Sequence, residues 1–205
     1  MKIIDLTMPL DNATPVYPGD PLPQINQIAT IEEQGWNELS LKFNSHCGTH
    51  IDAPYHMLAD GKKLDEFPID SFIGSAIVVD GRKRNEKNEI VAGLKQIKAI
   101  DFVFFCTGHV KNRYSQKYFE NNPVISTKTA QELIEKKIKI AGIDSYTPDN
   151  EPFETHKLLF KHQIRIVENL VNLEQLIGKK FECTILPLNI KNADGAPCRV
   201  IAILK

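Results

Sequence analysis

The sequence predicts an α/β protein with a single domain over residues 1–205, in which a mixed β-sheet core is flanked by a few helices. A chain of 205 residues is near the largest that one hydrophobic core usually serves. Its apolar segments are short and rich in Val, Ile and Phe, which favours strands over long helices. Strands alternate with helical segments in the second half, and no internal repeat or linker interrupts the chain.

The periodicity predicts three helices and a larger number of short strands. The helix Thr127–Lys137 has Ser126 as its N-cap and ends in two lysines, which suits the helix dipole. Shorter helices are predicted over Thr155–His162 and over Tyr114–Asn121, the second of which is ended by Pro123. The predicted strands are Ile3–Thr7, Gln24–Ile31, Glu38–Ser45, Ala76–Asp80, Phe102–Cys106, Ile138–Ile143, Arg165–Val167, Glu182–Leu186 and Arg199–Leu204.

Composition restricts the classes of partner. The formal net charge is -1, from 25 basic and 26 acidic residues, whereas a nucleic-acid-binding protein usually shows a basic excess. No stretch approaches the roughly 18 apolar residues that span a bilayer, and Asp5 interrupts the start before a signal peptide could form. We therefore expect a small-molecule substrate, with neither nucleic acid nor membrane as a partner.

The cysteines indicate a reducing compartment. Cys47, Cys106, Cys183 and Cys198 are widely separated and contain no CxxC pair, so neither a zinc ribbon nor a disulfide framework is expected. Cys106 and Cys183 lie in apolar runs and are predicted to be buried packing residues. A cytoplasmic location fits this pattern best.

The residues that could carry chemistry are concentrated between positions 46 and 56, in the run HCGTHIDAPYH. This run holds three of the 6 histidines and one aspartate, at positions 46, 50, 52 and 56. Side chains of equal parity lie on one face of an extended segment. A helix would turn Asp52 away from His46 and His50, and the glycine and proline in the run also disfavour a helix. We therefore predict a strand end that passes into a loop and directs these groups to one side.

Imidazole and carboxylate groups are good ligands for Zn²⁺, Mn²⁺ or Fe²⁺. Catalytic metal sites usually combine three protein ligands with a position for water, and His46, His50 and Asp52 would supply such a set. A lone histidine is more often a hydrogen-bonded core or surface residue. Three at matched parity around an aspartate favour a metal-dependent hydrolase instead.

The run from 46 to 56 resembles the signature of the cyclase family of metal-dependent hydrolases, which contains bacterial kynurenine formamidases and isatin hydrolases. The resemblance covers nearly the whole chain. Residues 5–10 and 14–20 are similar to the opening of the family, residues 142–145 to its middle and residues 193–199 to its C-terminal segment. The resemblance implies a swivelling β/β/α-like fold.

The resemblance also implies a centre of one or two divalent ions, with zinc expected first and manganese as the alternative. It assigns this centre five ligands: His46, His50, Asp52 as the bridge, His156 and Glu168. The residues alone do not choose His156 over His162, and they would leave Glu168 as a surface carboxylate. His109 and His162 are expected at the surface or behind the site.

His56 is the candidate general acid and base, because an imidazole can take and return a proton near neutral pH, and the family gives this role to the matching histidine. Tyr17, Tyr55 and Met57 are predicted to line the substrate pocket. Family members commonly carry tryptophan in place of Tyr17 and phenylalanine in place of Met57, so this pocket differs. Trp36 is expected to pack rather than to bind.

The resulting hypothesis is hydrolysis of a C–N amide bond in an aryl formamide or a cyclic amide. The alternatives are a hydrolase or cyclase for an ester, lactone or polyketide-type substrate, and a non-catalytic metal-binding protein. His56 speaks against the last, because a pure metal binder does not need a free imidazole beside a complete ligand set. The resemblance further implies a homo-oligomer, dimer or tetramer, with the loop around Tyr17 completing a neighbouring pocket.

Overall fold

The structure is a computed structural model that describes residues 1–91 and 93–204. The strands in these ranges are β1 (Lys2–Asp5), β2 (Gln24–Ala29), β3 (Glu38–Lys42), β4 (His50–Asp52), β5 (Ile73–Asp80), β6 (Phe102–Cys106), β7 (Ile140–Ile143), β8 (Arg165–Glu168), β9 (Lys180–Pro187) and β10 (Gly195–Leu204). The α-helices are α1 (Ile31–Gln34), α2 (Thr127–Glu135) and α3 (Glu154–Lys161). Several single turns of 3₁₀ helix connect them.

A mixed sheet closes on itself to form the body of the molecule. Its strand order is β1-β10-β4-β8-β7-β6-β5-β9, and β9 also pairs with β10. This last pairing joins the two ends of the sheet, so that the strands from β10 round to β9 form a barrel and β1 continues beside β10. β5 to β8 run parallel, whereas the other pairs are antiparallel. The predicted α/β class with a mixed sheet is confirmed.

The alternation of side chains along β6 separates two apolar cores. Phe102 and Phe104 point into the barrel, whereas Val103 and Phe105 pack on its outer surface against α2 and α3. Successive side chains of a strand lie on opposite faces. A strand buried on both faces therefore has an unbroken apolar sequence, as β6 does.

The structure corrects some of the predicted elements. The segment Tyr114–Asn121 is not an α-helix, since only Gln116–Phe119 forms a 3₁₀ turn. So short a helix is marginal without an apolar face to pack, and only Tyr118 in that turn is buried. The strand predicted over Gln24–Ile31 ends at Ala29, because the Thr30 side chain caps α1.

The predicted burial of two cysteines is confirmed, whereas the prediction for Trp36 is not. The four cysteines are free and buried, as predicted for Cys106 and Cys183. Trp36, in contrast, is 57% exposed, so the prediction that it packs is not confirmed. It lies in the segment between β2 and β3, a hairpin that stands apart from the main sheet. Of the helices described, none has the length and apolar character needed to cross a membrane.

Candidate metal centre and active site

Strand β4 provides two fully buried groups of the site. His50 and Asp52 are two residues apart and share one face of the strand. β4 is flanked by β8 and β10, and its antiparallel register sets His50 opposite Glu168 and Asp52 opposite Gly195. Gly195 leaves necessary space, because a Cβ there would lie 2.9 Å from the His46 ring and 3.3 Å from Asp52 Oδ1.

His46 and His56 face the same site as His50 and Asp52, but neither lies on β4. His46 lies in a turn before β4, and His56 ends a 3₁₀ turn, Pro54–His56, that follows it. The rings of these two histidines have centroids 4.1 Å apart. The expected convergence is therefore present, although only His50 and Asp52 owe it to strand parity.

The Asp52 carboxylate is the centre of two groups of potential ligand atoms. Its Oδ1 lies 2.7 Å from His46 Nδ1 and 3.3 Å from His50 Nε2. Its Oδ2 faces His156 Nε2 at 4.0 Å. One carboxylate thus has a pair of imidazoles on one oxygen and a third imidazole on the other.

Glu168, on β8, completes the second group of potential ligand atoms. Its Oε1 lies 3.4 Å from His156 Nε2, and its Oε2 lies 3.3 Å from His50 Nε2. His156 is in the first turn of α3, which brings it over the barrel edge, whereas His162 lies exposed beyond the last turn. The structure therefore brings together the five predicted ligands and leaves His162 outside. Their role as ligands stays a prediction.

Each imidazole of the group uses its other nitrogen for a hydrogen bond that fixes the ring. His50 Nδ1 lies 2.8 Å from the carbonyl oxygen of Gly48, and His46 Nε2 lies 2.7 Å from Asp194 Oδ2. His156 Nδ1 bonds Asp149 Oδ1. Metal-binding histidines characteristically have such an outer partner, which sets the tautomer and the orientation.

One buried nitrogen of the ligand cluster has no hydrogen-bond partner in the described part of the chain, and a metal ion could occupy that position. Among the described residues, His50 Nε2 is buried and without a hydrogen-bond partner, an arrangement that is costly unless something else occupies the position. Three groups among the described residues meet the distance requirement for a shared cation: His46–His50–Asp52, Asp52–His156–Glu168 and, at the rim, His46–His56–Asp194. The nitrogen and oxygen donor set fits a divalent ion such as zinc or manganese.

The charges of the site are strongly coupled. Burial opposes ionisation of Asp52, but His50 and His46 outweigh it and hold its pKa well below the usual range. Burial likewise opposes the charged form of His46, yet Asp52 and Asp194 raise its pKa to about 9. For His156, Asp149 and Glu168 overcome burial and raise the pKa to about 10. The carboxylates thus create a negative field that favours cations.

A cavity of about 280 Å³ opens above these groups. Tyr17 and Met57 line it as predicted, together with two aromatic side chains that sequence reasoning missed, Tyr146 and Phe153. The ring centroids of Tyr17 and Tyr146 are 6.0 Å apart. Tyr55 is outside this cavity, since its ring is exposed and lies under the Lys63 ammonium at 5.1 Å.

Two carboxylates next to the site also escaped prediction. Asp194 belongs to the C-terminal segment that carries the family resemblance, and this location was the only signal for it. Asp149 lies outside every segment that carried the resemblance. His109, expected at the surface or behind the site, is buried and bonds the carbonyl oxygen of Tyr118 at 2.7 Å. Tyr118 in turn donates to Asn169, which lines the cavity.

The comparisons with known proteins agree with this geometry. The pattern of the Cyclase family, described as "Putative cyclase", matches residues 4–150. Kynurenine formamidase of Bacillus anthracis is 32% identical to this chain, with 98% of this chain and 96% of that protein aligned. Isatin hydrolase A from Labrenzia aggregata has a similar structure, with a TM-score of 0.89, 26% identity, and coverage of 100% of this chain and 94% of that one. A potential metal-dependent hydrolase with cyclase activity gives a TM-score of 0.81 at 26% identity, with 98% and 96% covered.

The closed mixed barrel and the histidine–carboxylate cluster at its edge define the class of metal-dependent hydrolases. The chain belongs to the Cyclase family. The resemblance seen in the sequence is confirmed.

Proposed function

We propose that this protein hydrolyses the C–N bond of an aryl formamide or a cyclic amide, with His46, His50, Asp52, His156 and Glu168 as metal ligands and His56 as the proton carrier. The observation that carries the proposal is the shared carboxylate of Asp52, which joins two possible ligand groups at the base of a cavity with aromatic walls. The names of the relatives, kynurenine formamidase and isatin hydrolase, support the amide as the substrate class.

The ligand set suits zinc best, with manganese as the alternative, and one ion or two can be shared through Asp52. A divalent ion in such a site lowers the pKa of water to about 7 and polarises a carbonyl group. The protein's own part is to hold the ligands rigidly and to shape the cavity, which β4, β8 and α3 do.

His56 is placed to move the proton that the reaction requires. It is half-buried, its ring packs 4.1 Å from that of His46, and its Nδ1 faces Asp194 Oδ2 at 3.5 Å. Its Nε2 is then the nitrogen available to exchange a proton with the substrate. We propose that it accepts a proton from the attacking water and returns it to the leaving nitrogen.

The walls of the cavity favour a flat, aromatic substrate. Tyr17, Tyr146 and Phe153 present ring surfaces on which an aryl group could stack. The small volume, about 280 Å³, suits a compact substrate. These features support an aryl amide over an extended polyketide-type substrate, which remains the second candidate together with esters and lactones.

The test combines metal analysis of the purified protein with a hydrolysis panel of N-formylkynurenine, isatin, simple aryl esters and lactones. We expect a bound divalent metal and the highest kcat/KM on an amide. Faster turnover of an ester or lactone would support the second candidate instead. Stoichiometric metal without turnover of any member would favour the non-catalytic metal-binding alternative.

The cytoplasmic location and the homo-oligomeric state are parts of the same proposal. Free cysteines support a reducing compartment, because all of Cys47, Cys106, Cys183 and Cys198 are buried thiols. An apolar hairpin formed by β2 and β3 supports self-association into a dimer or tetramer. Tyr17, at 43% exposed, could then contribute to a neighbouring subunit's pocket.

A further inference from the structure

Asp194 places one carboxylate oxygen between a metal-ligand histidine and the proton carrier. Its Oδ2 lies 2.7 Å from His46 Nε2 and 3.5 Å from His56 Nδ1. Hydrogen bonds from these two histidines hold the pKa of Asp194 well below its usual range. Its side chain is 37% exposed, so it forms the rim of the site rather than its buried base.

The backbone holds Asp194 firmly at this position. Its carbonyl oxygen accepts a hydrogen bond from the N–H of Ala53 at 2.8 Å, and the carbonyl oxygen of Ala53 accepts from the N–H of His56 at 2.9 Å. The next residue, Gly195, begins β10 and pairs with Asp52. The aspartate is therefore tied to the same backbone frame that carries the histidine run, and its carboxylate does not need to be recruited from a mobile loop.

The geometry of His46 makes the orientation of its ring depend on Asp194. Only the arrangement with Nε2 toward Asp194 directs Nδ1 to Asp52 Oδ1, at 2.7 Å. A carboxylate that accepts from the outer nitrogen fixes the tautomer of a ligand histidine and strengthens it as a donor. The same oxygen restrains His56, whose ring packs against that of His46.

We propose that Asp194 is a positioning residue that couples the metal centre to the proton carrier. One oxygen keeps Nδ1 of His46 directed to Asp52, where both would hold a metal ion, and it keeps the His56 ring beside the substrate cavity. The part played through His46 concerns metal binding alone. The part played through His56 rests on the proposed function, and the two parts are therefore measured separately.

The first measurement is the zinc affinity of the purified protein, determined by competition with a chelator. Asp194→Asn keeps the size of the side chain and removes its charge. We expect zinc to bind about 10- to 100-fold more weakly, the usual effect of removing an outer partner of a ligand histidine. Asp60→Asn, which removes a carboxylate from an exposed turn, should bind zinc as the wild type does. Asp194→Glu, which restores a carboxylate, should recover part of the affinity.

The second measurement is kcat at saturating zinc in a double-mutant cycle with His56→Ala. Asp194→Asn should lower kcat in the wild-type background with little change in KM. In the His56→Ala background it should lower kcat no further, because the group that it positions is gone.

Either of two results overturns the proposal. One is a zinc affinity of Asp194→Asn equal to that of Asp60→Asn, with both proteins folded by circular dichroism. The other is an equal loss of kcat in both backgrounds. If the protein hydrolyses none of the substrates tested, the zinc measurement alone decides the role of Asp194, so failure of the proposed function and failure of this inference remain distinguishable.

Discussion

At the scale of single residues, Asp52 is the group on which the whole site depends. It is 1% exposed and faces His46, His50 and His156 with its two oxygens. Asp52 is also the one residue shared by the two groups that hold the five predicted ligands. Removing this carboxylate should therefore affect both ligand groups together.

We predict that Asp52→Ala loses its metal. Both groups that hold the five predicted ligands contain Asp52, so neither would be complete in the variant. Metal analysis after gel filtration should show less than one tenth of the wild-type content, a loss on the scale of about 1.4 kcal/mol or more in binding. Asp60→Ala, at an exposed position, serves as the control. Full occupancy in the Asp52 variant would remove the aspartate from the ligand set.

We predict that His56→Ala, unlike Asp52→Ala, keeps its metal but loses turnover. His56 lies beside the ligand cluster, with its ring centroid 6.4 Å from that of His156. General acid–base catalysis is usually worth about 10²–10⁴ in rate, so kcat should fall by that factor. His162→Ala changes an exposed histidine and should have wild-type activity. Unchanged turnover in the His56 variant would exclude it from the mechanism.

At the scale of secondary-structure elements, Asp101 connects the N-terminal ends of three parallel strands, β5, β6 and β7. It precedes β6 and accepts hydrogen bonds from the backbone N–H of Ser75 at 2.9 Å and from its hydroxyl at 2.8 Å, both on β5. It also pairs with Lys139, next to β7, at 2.8 Å. Gly74 makes this approach possible, since a Cβ there would lie 2.8 Å from that of Asp101.

The pH dependence of this contact has a definite sign. Burial opposes ionisation of Asp101, but Lys139 and Ser75 outweigh it and lower its pKa from 3.8. The unfolded chain therefore binds a proton at this residue more readily than the folded protein. The stabilisation is complete above the ordinary pKa and is lost as the pH falls through the lowered one.

We predict that Asp101→Ala lowers the free energy of unfolding by about 1 kcal/mol at pH 7, since partly exposed ion pairs and hydrogen bonds are each weak. The difference from the wild type should shrink as the pH is lowered below about 4. Urea denaturation across this range measures it. A difference that grows in acid would contradict the assignment.

β6 and α2 could be predicted from the sequence, because the residues of each element are enough to determine its structure. β6 is apolar along its whole length, and Ser126 accepts a hydrogen bond from Thr129 at the start of α2. The Tyr114–Asn121 segment contains aromatic residues at helical spacing, but its packing depends on contacts between Tyr118 and the distant Asn169. Local sequence does not contain that information.

The same distinction explains which parts of the site could be predicted. His46, His50, Asp52 and His56 lie within one short run, so the sequence places them close together, although strand parity accounts only for His50 and Asp52. His156 and Glu168 needed the family resemblance, because only the pairing of β4 with β8 brings His50 opposite Glu168. Asp194 is hydrogen-bonded to His46, which is far away in sequence. Asp149 is hydrogen-bonded to His156, which lies in the first turn of α3. Neither belongs to a spacing pattern.

At the scale of the whole molecule, the hairpin of β2 and β3 is the feature that a monomer does not explain. Most of its residues are exposed, and it forms a sheet of its own. The hairpin and its flanks carry six large apolar side chains that are each more than half exposed: Leu22, Ile28, Ile31, Trp36, Leu39 and Leu41. Concentrated apolar surface of this kind usually marks a protein–protein interface.

We propose that the partner at this surface is a second copy of the chain. A hairpin that presents the same apolar surface on both subunits can pair about a two-fold axis, the commonest arrangement of homo-oligomers. Leu39 and Leu41 lie on the same face of β3, and they also line a groove that continues to Leu186 and Leu188 on the barrel. This groove is a suitable place for part of the partner's hairpin.

We predict that the wild-type protein is a dimer or tetramer in solution and that the double variant Leu39→Glu, Leu41→Glu dissociates it. Burying two carboxylates without partners is far more costly than burying two leucines, so the concentration needed for assembly should rise at least about 10-fold. Light scattering after gel filtration measures the mass of each species. Val91→Glu is the matched control, because Val91 is 49% exposed and belongs to neither the hairpin nor the groove, and it should leave the assembly intact. A wild-type protein that is monomeric at all concentrations, or a double variant that assembles as the wild type does, would exclude the hairpin as the interface.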